Sequence, residues 1–258
     1  MTRAREPIFN IPAVIFAISA ALAAIHVVSD WLPETTQFAL ILDFAFIPAR
    51  EISWIDPSIL ADLAKNPPAS ADEGAIAQHQ LAVYLNAYES ARPWTLITYA
   101  LLHVGYLHLI LNLVVLLAIG TPVARRLGVP RFLLLFAAGA AGGALMNLAV
   151  HPSSVSPLMG ASAAISACWG AAARFAFDPV ARLGGPAATL RASLANRTVV
   201  TFTLAWFLTN ALSGLGANPS VLANTAIAWD AHIGGFLVGF LGFAVFDRPQ
   251  IQDAAPPA

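Results

Sequence analysis

The sequence predicts an all-α polytopic membrane protein: a bundle of six transmembrane helices with both termini cytoplasmic. Three observations carry this expectation. Of the 258 residues 58% are hydrophobic and 10% charged, with mean hydropathy +0.72, whereas an ordinary soluble domain is roughly 25% charged. Apolar runs suited to crossing a bilayer recur six times along the chain. Ten of the thirteen Lys and Arg residues fall on one side of those runs. A net charge of −1 leaves no basic footprint for nucleic acid. The single cysteine excludes an internal disulfide framework and any multi-cysteine metal site.

A spanning helix needs about 20 mostly apolar residues. The first candidate covers 9–29 and, with the tail before it, makes up residues 1–29. Its apolar run is longer than the core of a usual signal peptide, so it reads as a span. Residues 30–93 form the sizeable polar connection and carry nine acidic side chains. Within it, 37–49 is apolar but interrupted by Asp43 and Pro48, which suits an interfacial segment. Residues 66–76 read as a flexible turn, and 77–92 as a short surface helix. Five further spans follow at 98–120, 131–150, 160–177, 198–216 and 230–246, so 94–247 forms a five-helix core. Residues 248–258 are a tail.

Basic residues accumulate in cytoplasmic loops. Arg3 and Arg5 precede span one, and Arg125, Arg126 and Arg131 lie between spans two and three. Arg174, Arg182, Arg191 and Arg197 surround the connection between spans four and five, and Arg248 follows span six. The opposite side holds Arg50, Lys65 and Arg92. This asymmetry puts both termini inside and the 30–93 connection outside.

Polar side chains within apolar spans are costly and mark function by default. His108 and Asn112 lie early in span two, and their i, i+4 spacing puts them on one helical face. Ser162 opens span four and His232 opens span six. All three spans run from outside to inside, so these residues converge in the outer half of the membrane. His103, five residues before His108, is expected to face elsewhere and to serve structure. Small residues let membrane helices approach closely. Gly235, Gly239 and Gly242 follow His232, while Ala163, Ala164, Ala167, Gly170 and Ala171 follow Ser162. Packing these stripes together brings Ser162 and His232 within reach of each other.

A serine hydroxyl becomes an effective nucleophile when a neighbouring base takes its proton, and imidazole does so near neutral pH. The developing oxyanion then needs donors, available from Asn112, His108 and the Ser162 backbone N–H. Asp230, two residues before His232, points to a different face, so the reading is a Ser–His dyad without a carboxylate. His26, His79 and His151 lack metal-ligand spacing, and Cys168 reads as a small core residue; neither metal nor cofactor is expected. Trp206 and Phe207 in span five read as packing aromatics. The uncharged loop 217–229 lies just before His232 and is placed to cap the site.

At this point the sequence resembles the rhomboid family of intramembrane serine proteases. The resemblance rests on His103-Val-Gly-Tyr-Leu-His108-Leu-Ile-Leu-Asn112, on Gly160-Ala161-Ser162-Ala163, and on Ala231-His232-Ile-Gly-Gly235-Phe-Leu-Val-Gly239. Arg125-Arg126-Leu127-Gly128 also looks like the family. It implies that Ser162 is the nucleophile, His232 the general base, and His108 and Asn112 oxyanion ligands. It further implies that Gly160 permits the tight loop before the serine, and it offers the flank of a substrate entrance as a second reading of Trp206 and Phe207. The implied substrates are transmembrane proteins, cleaved near the outer face of the bacterial inner (cytoplasmic) membrane, without metal or cofactor. Ala163 stands where members often have Gly, and Thr95 where some relatives have Arg. Ser166 stands where some carry a Tyr stacked on the catalytic His, leaving His232 either looser or supported by another side chain. Two other readings use the same residues: a non-catalytic relative that binds membrane clients, and a small-solute or proton transporter. The transporter reading calls for inverted repeats, and none is evident. The oligomeric state and the natural substrate stay open.

Overall fold

The computed structural model describes residues 11–68, 72–214 and 228–247. Both terminal tails, including Arg3, Arg5 and Arg248, lie outside the described residues, as does most of the 217–229 loop.

Helix α1 (Ala13–Asp30) starts directly after Pro12, whose missing N–H costs nothing at a helix start. Four short helices occupy the polar connection: α2 (Glu34–Phe44), α3 (Pro48–Ile52), α4 (Ser58–Lys65) and α5 (Glu73–Tyr88). The surface helix expected at 77–92 thus begins earlier. The Asp72 carboxylate caps it by accepting from the Ala75 N–H at 3.0 Å. These elements enclose their own apolar cluster, built from Leu42, Ile47, Leu60, Leu85 and Val155.

The second long apolar segment departs from its expected bounds of 98–120. Residues 95–101 form a separate turn, α6 (Thr95–Thr98) running into a 3-10 turn at Tyr99–Leu101. The long helix then spans Tyr106–Leu127. It consists of α7 (Tyr106–Val115), a π-helical stretch at Leu116–Gly120, and α8 (Thr121–Leu127). Pro122 explains the π stretch: it offers no N–H to the carbonyl four residues earlier and its ring crowds that carbonyl. Arg125 and Arg126 lie in the last helical turn rather than in a loop, where cations favour the negative end of the helix dipole. Gly128, at φ 72°, ends this helix and leads into α9 (Val129–Val150).

Helix α10 (Ser162–Phe175) is followed by α11 (Pro179–Arg182), α12 (Leu190–Ala195), α13 (Arg197–Gly214) and α14 (Trp229–Phe246). Among the described residues, four helices are long and apolar enough to cross a membrane: Ala13–Asp30, Tyr106–Leu127, Val129–Val150 and Trp229–Phe246. The other two segments expected to span contain the short helix α10 and the apolar stretch Arg197–Leu208 of α13. Twelve of the fourteen α10 residues are buried, so α10 is the central helix, wrapped by its neighbours rather than by lipid.

Backbone proximity holds α9, α10 and α14 together. A β-carbon at Gly235 would collide with the Ala163 carbonyl oxygen, and one at Gly239 with the Ala167 carbonyl oxygen. On the opposing helix a β-carbon at Gly170 would lie 2.6 Å from Phe240 N. The stripe ends there: at Gly242 a β-carbon would meet only the Phe246 ring, at an ordinary 3.6 Å. Helix α9 joins through Gly143, where a β-carbon would lie 2.8 Å from Ala231 O. That third participant was not anticipated from sequence.

Two arginines among those used to orient the chain, part-buried Arg126 and buried Arg174, are structural. Arg126 donates to the Gly185 carbonyl at 2.9 Å and pairs with Asp247 at 2.7 Å. Arg174 donates to Phe240 O at 2.6 Å and to Ala188 O at 2.7 Å. Together they tie the ends of α8, α10 and α14 to the 176–189 connection.

At the other end, fully buried Arg50 donates to the carbonyls of Leu42 and Ala45 and pairs with Glu51 at 2.7 Å. Burial lowers its pKa and Glu51 opposes that shift. Nearby, Phe46 and Leu158 exchange backbone hydrogen bonds, with Leu158 N donating to Phe46 O at 2.8 Å. The 30–93 connection is therefore clamped onto the strand-like 154–158 segment that leads to Ser162. Arg50→Met removes the donors to two carbonyls and strips Glu51 of its guanidinium partner, leaving that carboxylate only the Arg92 N–H and the Thr95 hydroxyl. Its expected cost is about 3–5 kcal/mol, read as a lower thermal midpoint in detergent; an unchanged midpoint would contradict this role.

Candidate active site

The site is built where the starts of α7, α10 and α14 meet. Ser162 is the first residue of α10. The opening N–H groups of a helix lack intrahelical partners, and its N-terminus favours negative charge. His232 lies in the first turn of α14. Their side chains meet, with His232 Nε2 2.7 Å from Ser162 Oγ. The Gly235 and Gly239 contacts hold this pair because they bring the α14 backbone against residues 163 and 167, immediately below.

Gly160 has φ 125°, a region that side-chain-bearing residues rarely adopt. Its N–H donates to Tyr99 O at 3.0 Å, and a β-carbon there would lie 2.7 Å from His108 Cε1. Glycine is thus required twice, by the backbone turn and by the imidazole packed against it. Asn112 is buried, and its Nδ2 donates to the His108 carbonyl at 2.9 Å. His108, Asn112, Ser162 and His232 line one cavity of about 640 Å³.

Two expectations need correction. His103 does not face away from His108: their ring centroids lie 5.3 Å apart. Helical spacing does not apply across that pair, because Gly105 is extended and the helix starts at Tyr106. His103 also approaches His26 of α1 edge-on at 6.5 Å, and His26 packs on Tyr106 at 4.7 Å. Trp206 and Phe207, by contrast, pack on Phe236 as the packing reading expects, with Trp206 stacked at 4.8 Å. Of the interrupted glycine stripe, Gly242 lies outside the close approach described above.

Asp230 faces away from His232, as its position two residues earlier predicts. It is buried and accepts from Asn147 Nδ2 at 2.7 Å, with His151 Nε2 3.9 Å away. Ser166 donates its hydroxyl to the Ser162 carbonyl at 2.7 Å and so does not support the imidazole. That place is taken by Asn210 of α13, whose Oδ1 lies against His232 Nδ1. Asn210 and Asn147 were not singled out in the sequence, although each is a lone amide within an apolar run, the signal that flagged Asn112. Among the described residues, no group of three or more His, Cys, Asp or Glu is placed to hold a metal ion.

A family model described as a rhomboid domain matches residues 90–248. The rhomboid protease GluP of Bacillus subtilis (strain 168) is 31% identical over 157 residues, covering 61% of this chain and 27% of that protein. RHOMBOID-like protein 5 of Arabidopsis thaliana is 27% identical over 245 residues, 93% of this chain and 68% of the relative. RHOMBOID-like protein 1 of the same plant is 28% identical over 244 residues, 93% of this chain and 54% of the relative. This chain thus spans about a quarter of the Bacillus protein's length. With a family match over more than half of the chain and several membrane-length apolar helices, the protein belongs to the rhomboid family as a multi-pass membrane protein.

Proposed function

We propose that this chain is an intramembrane serine endopeptidase that cleaves transmembrane proteins by a Ser162–His232 dyad. The observation that carries the reading is the 2.7 Å approach of His232 Nε2 to Ser162 Oγ inside a cavity shared with His108 and Asn112. His232 takes the hydroxyl proton as Ser162 Oγ attacks the scissile carbonyl. The oxyanion is held by the Ser162 N–H together with His108 and Asn112, and Gly160 gives the loop its shape. The tetrahedral intermediate collapses as His232 protonates the leaving amine. Water, deprotonated by His232, then attacks the acyl-Ser162 ester and releases the carboxyl product.

In this reading the molecule crosses the inner membrane six times, with α10 and α13 as the two shorter spans and both termini cytoplasmic. Residues 94–247 form the catalytic core, and the site lies in the outer half of the bilayer. The shortness of α10 supports that depth: 14 residues rise about 21 Å, against a hydrocarbon core of about 30 Å. Its first residue therefore sits below the outer surface. The clamped 30–93 connection then covers the outer face of the core.

The test is cleavage of a model transmembrane substrate by the purified protein in liposomes, with fluorophosphonate labelling read by peptide mass spectrometry. Cleavage within or near the apolar segment and labelling at Ser162 are expected. Substrate left intact, or a probe that reacts at other serines only, overturns the reading.

A further inference from the structure

We propose that Asn210 of α13 is the positioning residue that sets the tautomer and orientation of His232, so that the unprotonated Nε2 faces Ser162. The assignment rests on the protease reading above and deepens it from a dyad to a serine–imidazole–amide chain.

Two hydrogen bonds fix the direction of that chain. Asn210 Nδ2 lies 2.8 Å from the Trp206 carbonyl, one turn earlier on the same helix. A carbonyl oxygen is only an acceptor, so the amide must present its NH₂ there. Flipping the amide would set two acceptor oxygens against each other. Asn210 Oδ1 is therefore the atom left to meet His232 Nδ1. An amide oxygen is also only an acceptor, so Nδ1 must carry the imidazole proton. A neutral imidazole has one N–H, and Nε2 is then the free base 2.7 Å from Ser162 Oγ. The Trp206 backbone thereby dictates, through one amide, which nitrogen faces the nucleophile.

The surroundings leave this task to Asn210. The nearest carboxylate on α14, Asp230, is engaged with Asn147. Ser166, a turn below Ser162, bonds back to the Ser162 carbonyl. Trp206 itself is anchored by stacking on Phe236, which holds α13 against α14 one turn from the amide. An amide in place of a carboxylate orients the imidazole without bringing a charge into an apolar bundle, where a charge is costly.

The experiment compares Asn210→Leu and Asn210→Asp with wild type. Leucine has the same branched heavy-atom skeleton and suits an apolar helix, but offers no acceptor; aspartate keeps an acceptor oxygen. Asn210→Leu is expected to lower kcat roughly 10- to 100-fold, part of what a positioned base contributes, with KM within about threefold. Asn210→Asp is expected to retain more than about a third of wild-type kcat. In parallel, ¹⁵N-histidine NMR at about pH 8, above the ordinary imidazole range near 6.5, reads the tautomer. The His232 signal is identified by its loss in His232→Ala. Wild type and Asn210→Asp are expected to show Nδ1–H, and Asn210→Leu to lose that preference.

Full kcat in Asn210→Leu, equal losses in both variants, or an Nε2–H tautomer in wild type would each overturn the assignment. The tautomer readout does not depend on turnover. A wild type that neither cleaves substrate nor is labelled at Ser162 overturns the protease reading instead, so the two failures are distinguishable.

Discussion

Ser162→Ala and His232→Ala are each expected to reduce proteolysis by at least about 10⁴-fold, to the background of the assay, and the double variant is expected to be no worse. Nucleophile and base act as one unit: without the imidazole the hydroxyl keeps its proton, and without the hydroxyl the base has nothing to activate. Losses that add on a logarithmic scale would mean that the two side chains work independently. The helices themselves should survive both changes, because the backbone approaches at Gly235, Gly239 and Gly170 hold α10 to α14 and the Ser162–His232 pair adds a single hydrogen bond. Thermal midpoints close to wild type are therefore expected beside the lost activity. Substrate cleavage in liposomes, with initial rates set against enzyme concentration, measures the activity, and thermal unfolding in detergent measures the midpoints. Either single variant retaining full activity would remove the dyad.

Gly235→Leu is expected to abolish activity by a different route. A β-carbon at this position runs into the Ala163 carbonyl oxygen, which is backbone and cannot swing aside. The helices must separate or the bundle must distort, and overpacking of this kind typically costs 1–3 kcal/mol or more. Because Gly235 lies one turn below His232 and Ala163 adjoins Ser162, separation lengthens the 2.7 Å approach directly. A loss of at least about 100-fold in kcat, with a lowered thermal midpoint, is the expected outcome. Gly242→Ala is the matched control. Its new β-carbon would sit 3.6 Å from the Phe246 ring, so midpoint and activity should stay near wild type. Equal effects at both positions would show that the i, i+4 stripe acts only through general helix propensity.

The contrast between those glycines shows how far sequence reading reaches. Gly235, Gly239 and Gly242 look equivalent as a small-residue stripe, yet the first two touch α10 backbone and the third does not. Spacing along one helix says which residues share a face. It does not say where the neighbouring helix crosses and diverges, which depends on both partners. The same limit hid α9: Gly139, Gly142 and Gly143 lie in an apolar run, and only the bundle brings Gly143 against α14.

His103 illustrates a second limit. Helical geometry set its side chain away from His108, but that rule holds only inside a continuous helix. The extended backbone at Gly105 breaks the helix between them, and the two rings come together. The bounds of the second long helix shifted for the same reason. Asn210 was missed differently: it is separated from His232 by 22 residues, and a lone amide in an apolar run has many available partners.

The sequence by itself determined that the chain resides in a membrane and which polar side chains stand inside apolar runs. Hydropathy is summed residue by residue along a segment, so composition and order suffice. The motifs in order also showed the family, because Gly160, Ser162, Asn112 and His232 serve local needs: a turn, a helix start, a helix face. What only the tertiary structure decided is who meets whom. Those meetings are the approach of Gly143 of α9 to α14, the pairing of His103 with His108, the clamp around Arg50, and the amide of Asn210 behind His232. Each depends on how helices far apart in sequence are rotated about their axes and where their backbones cross, and no local pattern specifies those quantities.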